Sequence, residues 1–444
     1  MFGPITTSML RGVALAGILL SGIVGVARAD NPIVQTLYST DPAPFVWNNT
    51  VWLFTGHDES GAKNYDMRDW RLYSSTDMVN WRDWGVMLSL KSFSWAKADA
   101  WAGQVVERDG KFYYYVTVTK SSGGYAVGVG ISDRITGPYK DALGKQLLAN
   151  GGIDPTVWID EDDGQAYMYW GHSGAYHVKL NKDMLSFSGS LTSTSVQNFI
   201  EGPWLQKRNG TWQLIYSSSG GANEDIKYAT STKPTGPWTF KGQIMPSQGK
   251  SFTNHAGIID YKGGSYFFYH NGALPGGGTY ARSVCVEKFT YNADGSFPKI
   301  TMTDAGAPQI ESLNPYQQVE AETIAFSSGL TTAAKSDGSG IYVTSISNND
   351  YIKVKGVDFG VGAASVDLRV AAAAAGGKIE LRVGSQTGTV IATCAVDATG
   401  GAQTWKTVSC PVSGAAGKQD LFFKFSGSNY NFDWWQFKQA AVGA

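Results

Sequence analysis

The stretch that decides the fold is Asp154-Pro155-Thr156-Val157-Trp158-Ile159, followed by the acidic turn Asp160 to Gly164 and the aromatic run Tyr167-Met168-Tyr169-Trp170. It reads as a polar head, a short apolar strand, a turn and a second strand rich in Tyr. The same unit occurs four more times. Asp41 heads Phe45-Val46, Asn48-Asn49 and Val51 to Phe54; Trp101 heads Val105-Val106, Asp109-Gly110 and Phe112 to Tyr115. Glu201 heads Trp204-Leu205, Asn209-Gly210 and Trp212 to Tyr216; His255 heads Ile258-Ile259, Gly263-Gly264 and Tyr266 to Tyr269. Each is a hairpin signal, because Asn, Asp and Gly enter tight turns at positive φ and β-branched or aromatic runs flank them.

Heads that recur roughly every 47 to 60 residues, with strands and no helical period, predict a β-propeller with one blade per repeat. Five repeats predict five blades. The innermost strand of each blade starts at one mouth of the central channel, so Asp41, Trp101, Asp154, Glu201 and His255 are expected to converge there.

Outside the repeats, Met1 to Ala29 has the pattern of a secretory signal: Arg11, an apolar run from Val13 to Val26, and Ala27-Arg28-Ala29 as a cleavage site. The run is too short for a membrane span. The net charge is -1, and -3 without Arg11 and Arg28, with no basic patch, which argues against nucleic acid or an anionic membrane as partner. The five-bladed domain is placed at residues 30–312. Beyond it the composition shifts to Ala, Gly, Ser and Val with short alternating strands such as Lys378 to Val383 and Asp420 to Phe425, which predicts a β-sandwich over residues 313–444. Tyr291 to Pro315 reads as the last propeller segment and a linker, and Ala371 to Ala375 as a strand end and loop. Cys394 and Cys410 could pair in an exported protein, whereas Cys285 reads as a buried thiol. The turn Asp160 to Gly164 lacks the spacing of a calcium loop and reads as a solvated hairpin turn.

Glycoside hydrolysis needs one carboxylic acid to protonate the leaving oxygen and one carboxylate to serve as base or nucleophile, and three carboxylates meeting in one funnel can supply them. Asp41 is expected to stay ionised as general base and Glu201 protonated as general acid, with Asp154 between them raising the pKa of Glu201. Heads on blades one and four favour the wide separation that leaves room for a water, hence inversion. Trp101 and Trp170 could stack on a sugar or pack between blades; His255 could hold a water or a cation, or be a backbone-satisfied core residue; Arg282 could bind sugar hydroxyls or orient Glu201.

At these residues the sequence resembles glycoside hydrolase family 43, over residues 31–312. The resemblance is carried by Thr40 to Pro44, Ala100 to Val105, Gly152 to Thr156, Glu201 to Trp204 and Asn254 to Gly257. It implies base, pKa-tuning and acid roles for Asp41, Asp154 and Glu201, a central His often associated with a cation at His255, and a substrate-binding Arg at Arg282. The wider pattern is similar to the arabinoxylan arabinofuranohydrolase branch. Residues 316–440 resemble carbohydrate-binding module family 6 through Val319 to Glu322 and Asn431 to Trp435. That resemblance implies a structural calcium on Glu320, Glu322 and Asp433, and a sugar sandwiched by Tyr351 and Trp405 with Asn431 hydrogen-bonding it. The expectation is therefore a secreted, monomeric, inverting α-L-arabinofuranosidase acting on plant cell-wall arabinoxylan. The rivals are a β-xylosidase on the same scaffold, a non-catalytic glycan-binding propeller and a structural adhesin.

Overall fold

Alternating apolar and aromatic residues between Gly- and Asn-rich turns give strands wherever the sequence is described. The structure, a computed structural model, describes residues 30–149, 151–219, 221–247 and 249–440, so the expected signal at Met1 to Ala29 lies outside the described residues. Among those residues there is no α-helix, and the one helical turn is Leu90–Ser92.

Five antiparallel sheets follow one another, each with its strands in chain order. Sheet 1 holds Tyr38–Trp47, Thr50–Asp58, Met67–Ser75 and Trp81–Ser89; sheet 2 holds Ala96–Arg108, Lys111–Lys120, Tyr125–Ser132 and Lys140–Asp141. Sheet 3 holds Thr156–Ile159, Ala166–Trp170, Ala175–Leu180 and Phe187–Thr194; sheet 4 holds Phe199–Arg208, Thr211–Ser219, Glu224–Ser231 and Thr239–Met245. Sheet 5 has three strands, Gly257–Tyr261, Gly264–Asn271 and Ser283–Phe289. The first strands of the sheets pack on one another: that of sheet 1 against those of sheets 2 and 5, that of sheet 3 against those of sheets 2 and 4.

The hairpin turns follow the sequence. Asn48-Asn49, Asp109-Gly110, Asn209-Gly210 and Lys262-Gly263 all place both residues at positive φ, the pairing whose twist matches the flanking strands. The acidic turn departs from its solvated reading in one respect: Asp160 is buried and, with Asp162, holds the Lys207 ammonium of sheet 4. Where sheet 5 lacks a fourth strand, the start of the described chain lies alongside. Ile33 N–H donates to Val284 O at 2.8 Å, and Val286 N–H to Asn31 Oδ1 at 3.0 Å, tying sheet 5 to the segment that leads into sheet 1.

From Val319 onward two further sheets form, of six and five strands. Leu368, Val370, Trp435 and Phe437 from one and Leu381, Phe423 and Phe425 from the other share a single apolar core. Cys394 and Cys410 are disulfide-bonded, joining Thr389–Val396 of the smaller sheet to Lys406–Pro411 of the larger; Cys285 is a buried free thiol. Ala363–Ala372 ends as a strand where the alanine run begins to bend, as expected.

The two parts are joined by more than a linker. Thr323–Ile324 pairs with Trp81–Ser89 as a fifth strand of sheet 1. Asn80, in the Ser74 to Trp81 turn, exchanges two hydrogen bonds with the Lys355 backbone at 2.9 and 2.8 Å, and Asp77 accepts from Gln309 Nε2 at 3.1 Å.

Candidate active site

The acids sit where the β-ladders break. In sheet 1 the register shifts between Thr40 and Ala43, and in sheet 4 on both sides of Glu201; sheet 2 shifts on both sides of Trp101. Asp41 and Asp154 adopt φ of 49° and 55°, and Gly202 follows Glu201 at 59°. Such irregularities re-aim a side chain out of the alternation of its strand. Here they bring Asp41, Asp154 and Glu201 into the wall of one cavity of about 470 Å³, together with Trp101, His255 and Arg282. Five of the expected heads and the expected Arg are thus in one place.

Asp41 is 7% exposed. Burial alone would push its carboxyl up, but the Arg282 guanidinium, with the Thr40 hydroxyl, outweighs it and holds it below the usual range. Its Oδ1 lies 3.3 Å from Arg282 Nη1 and accepts from Thr40 Oγ1 at 3.0 Å. The Asp41 N–H donates to His270 Nδ1 at 3.2 Å, which places the ring proton on Nε2, donated to Thr253 O at 3.0 Å. Burial, reinforced by Arg282, drives His270 down to about 3, so the ring stays neutral.

Arg282 is itself clamped by Asp58, with Nε at 2.9 Å and Nη2 at 2.8 Å from the two carboxylate oxygens. It orients Asp41; no hydrogen bond or ion pair joins it to Glu201 among the described residues, so the expectation that it orients the acid is replaced by one in which it orients the base.

Asp154 is as buried as Asp41 but has no cation. Burial, then the nearby Glu201 and Asp41 charges, push its carboxyl well above the usual range, against one hydrogen bond from Gly202 N–H at 3.1 Å. Burial and neighbouring charge thus favour the protonated form of Asp154, while Glu201, beside it, keeps part of its side chain exposed. Glu201 Oε2 is also 3.0 Å from Nδ1 of His172, whose ring that bond raises.

Trp101 lines the cavity with its indole N–H on Tyr65 O at 2.9 Å and its ring tilted against Tyr125. Trp170 does not reach it. It is buried, stacked on Tyr176, within the core of sheets 2 and 3, because the second strand of a repeat points its aromatics between sheets. His255 lies at the cavity wall, Nδ1 3.9 Å from Asp41 Oδ1 and shifted down by burial. Tyr65, Tyr125, His172, Glu224, Phe252 and Asn254 also line the cavity and were not legible from the repeat heads, because they lie on loops or on outer strands.

In the carboxyl-terminal part, Trp405 meets Tyr342 edge-on at 5.3 Å, with Gln403 Nε2 bonded to the Tyr342 hydroxyl and Asn431 Nδ2 to Ala402 O at 2.6 Å. Tyr351 belongs to the other sheet, stacked on Phe326 and beside Phe422. The expected sandwich of Tyr351 and Trp405 is therefore corrected: Tyr342 is the ring that stands beside Trp405. For calcium, the donor chemistry of Glu322 fits a hard cation, since both its oxygens are buried without a hydrogen bond and burial pushes its carboxyl well up. Glu320 and Glu322 both approach Arg82, at 3.7 and 3.8 Å. Asp433 is engaged by Lys335 at 2.7 Å, and among the described residues the three acids do not form a set within ligand reach of one another.

Residues 29–297 match the family model for glycosyl hydrolases family 43, more than half of the chain. The chain belongs to glycosyl hydrolases family 43. Residues 320–439 of this family 43 glycoside hydrolase match the model of carbohydrate binding module family 6. It is similar to an arabinoxylan arabinofuranohydrolase of Bacillus subtilis, 33% identical over 92% of each chain, and to one of Paenibacillus polymyxa, 31% identical over 92% of this chain and 74% of that one. The crystal structure of a family 43 arabinoxylan arabinofuranohydrolase from Bacillus subtilis, in complex with cellotetraose, superposes with a TM-score of 0.82, covering 93% of this chain and 98% of that one at 33% identity.

Proposed function

We propose that this family 43 enzyme removes α-L-arabinofuranosyl side chains from arabinoxylan with inversion, and that its five sheets are the blades of a five-bladed propeller over residues 30–312. The observation that carries the reading is the gathering in one cavity of a carboxyl held below the usual range, Asp41, one pushed well above it, Asp154, and Glu201. Asp41 takes a proton from water as the water attacks the anomeric carbon, and Glu201 gives a proton to the departing xylan oxygen. Asp154, which lines the same cavity, is given the supporting role of orienting the acid. The succession of five sheets whose first strands pack on one another supports the propeller, and the arabinofuranohydrolases among the relatives support the substrate.

The same reading takes Met1 to Ala29 as an export signal, with the Cys394–Cys410 disulfide in support, since such bonds persist outside the cytosol. Residues 313–444 would hold the polymer near the cavity, through Trp405 and Asn431, with calcium on Glu320 and Glu322 and Asp433 released from Lys335 to join them. The test is sugar release. Incubation with arabinoxylan is expected to liberate arabinose and leave the xylan backbone intact; xylose as the main product would move the enzyme to the β-xylosidase reading, and no product would favour a binding role.

A further inference from the structure

The repeat heads account for three carboxyls in the cavity, but a fourth lines it. Glu224 opens the third strand of sheet 4, 6% exposed. Its backbone is fixed by Glu224 N–H donating to Phe252 O at 2.9 Å, and its side chain by Asn254 N–H donating to Oε2 at 3.1 Å. The other oxygen, Oε1, has no hydrogen-bond partner among the described residues. A carboxyl pinned on one oxygen and open on the other, in a wall that also holds the acid, is a built recognition group rather than a packing residue.

The charges around it decide its form. Arg282 is the one Arg or Lys among the described lining residues, and it is bound by Asp58 on two sides and by Asp41. His172 is committed to Glu201, and burial leaves His255 neutral. On its own strand, Lys227 is engaged by Asp225 at 3.3 Å and Ser218 at 3.0 Å. An ionised Glu224 would face Glu201, Asp154 and Asp41 with no cation of its own. A buried carboxyl in that position keeps its proton. Burial, then the Glu201 charge, push it up to about 9, in agreement with the geometry. Because Oε2 accepts the Asn254 N–H, the proton sits on Oε1, facing the cavity.

We propose that Glu224 is a sugar-recognition residue whose carboxylic O–H, on Oε1, donates a hydrogen bond to a hydroxyl of the arabinofuranosyl unit bound beside Glu201. The assignment rests on the proposed function above and adds a residue with no part in proton transfer. A neutral donor is suited to the task, since a carboxylate there would repel the electron-rich sugar oxygens and accept only.

The experiment compares Glu224→Gln and Glu224→Leu with the unaltered protein on p-nitrophenyl α-L-arabinofuranoside at pH 7. The amide of Gln keeps a donor at the same place without charge, and Leu keeps the volume without the donor. The expected result is kcat/KM within about threefold of the parent for Glu224→Gln, and a loss of about tenfold, carried by KM, for Glu224→Leu. Two results overturn the proposal: a Glu224→Gln protein as impaired as Glu224→Leu, which would mean the ionised oxygen is what matters, or a Glu224→Leu protein that keeps its KM. A parent protein inactive on this substrate would instead defeat the proposed function and, with it, the assignment that rests on it. Glu224→Gln, the near-isosteric change, keeps the comparison decisive if Glu224→Leu does not fold.

Discussion

Asp154 shows what the site costs the fold. Its folded pKa lies well above 3.8, so above that pH the folded state binds more protons than the unfolded chain, and stability falls as pH rises from about 4 toward the folded pKa. Asp154→Asn removes the titration while the amide oxygen still accepts from Gly202 N–H. The variant is expected to melt at a higher temperature than the parent at pH 7, with the difference shrinking toward pH 4, and to be nearly inactive; thermal scans across that range check it. Asp41 behaves oppositely. Its lowered pKa contributes stability that is present above the unfolded value and is lost as pH falls through the folded one. Asp41→Asn can still accept from Arg282 and Thr40, so the fold is expected to persist while kcat falls at least a hundredfold, the scale of a lost general base. A variant retaining a tenth of the activity would remove Asp41 from that role. The acids were legible because they recur at one register of the repeat. Glu224, Asp58 and His270 were not, because they lie at the ends of second and third strands, and only the folded chain brings them to the heads.

Among the elements, the hairpins were readable residue by residue, since Asn, Asp and Gly at the turns have a steric reason to be there. Less readable was which face of a second strand looks into the channel. Trp170 was a candidate for stacking on sugar only because aromatic content alone does not say whether a ring packs between sheets or lines a cavity. The pairing of Cys394 with Cys410 was open in the sequence because spacing does not fix strand adjacency; the structure puts the two strands at the edges of facing sheets. Closing a loop of this length is worth about 3 kcal/mol in the chain-entropy picture. The double substitution Cys394→Ser and Cys410→Ser is therefore expected to lower the melting temperature of the carboxyl-terminal part measurably, while activity on p-nitrophenyl α-L-arabinofuranoside, a substrate too small to need that part, stays unchanged.

At the scale of the molecule, the shift in composition from Val319 onward revealed two parts but not how they meet. Val319 to Glu322 announced the start of the second part, yet nothing in the sequence says that Thr323–Ile324 extends sheet 1 of the first. The buried Asp77 carboxylate organises the contact, accepting from Val79 N–H, Asn80 N–H, Asn80 Nδ2 and Gln309 Nε2. Asp77→Ala leaves several of those donors without a partner, so the two parts, which are expected to unfold in one calorimetric transition in the parent, should separate into two in the variant. Two transitions in the parent would mean the joint is weaker than its hydrogen bonds suggest.

The central claim is a single displacement carried out by Asp41 and Glu201, and the measurement that tests it most directly is anomeric proton NMR during the first minutes of arabinoxylan digestion, with the Glu201→Gln protein alongside. The account predicts that β-arabinofuranose appears first, before mutarotation, and that Glu201→Gln releases none. Initial α-arabinofuranose, or arabinose from the Glu201→Gln protein at the parent's rate, would contradict it.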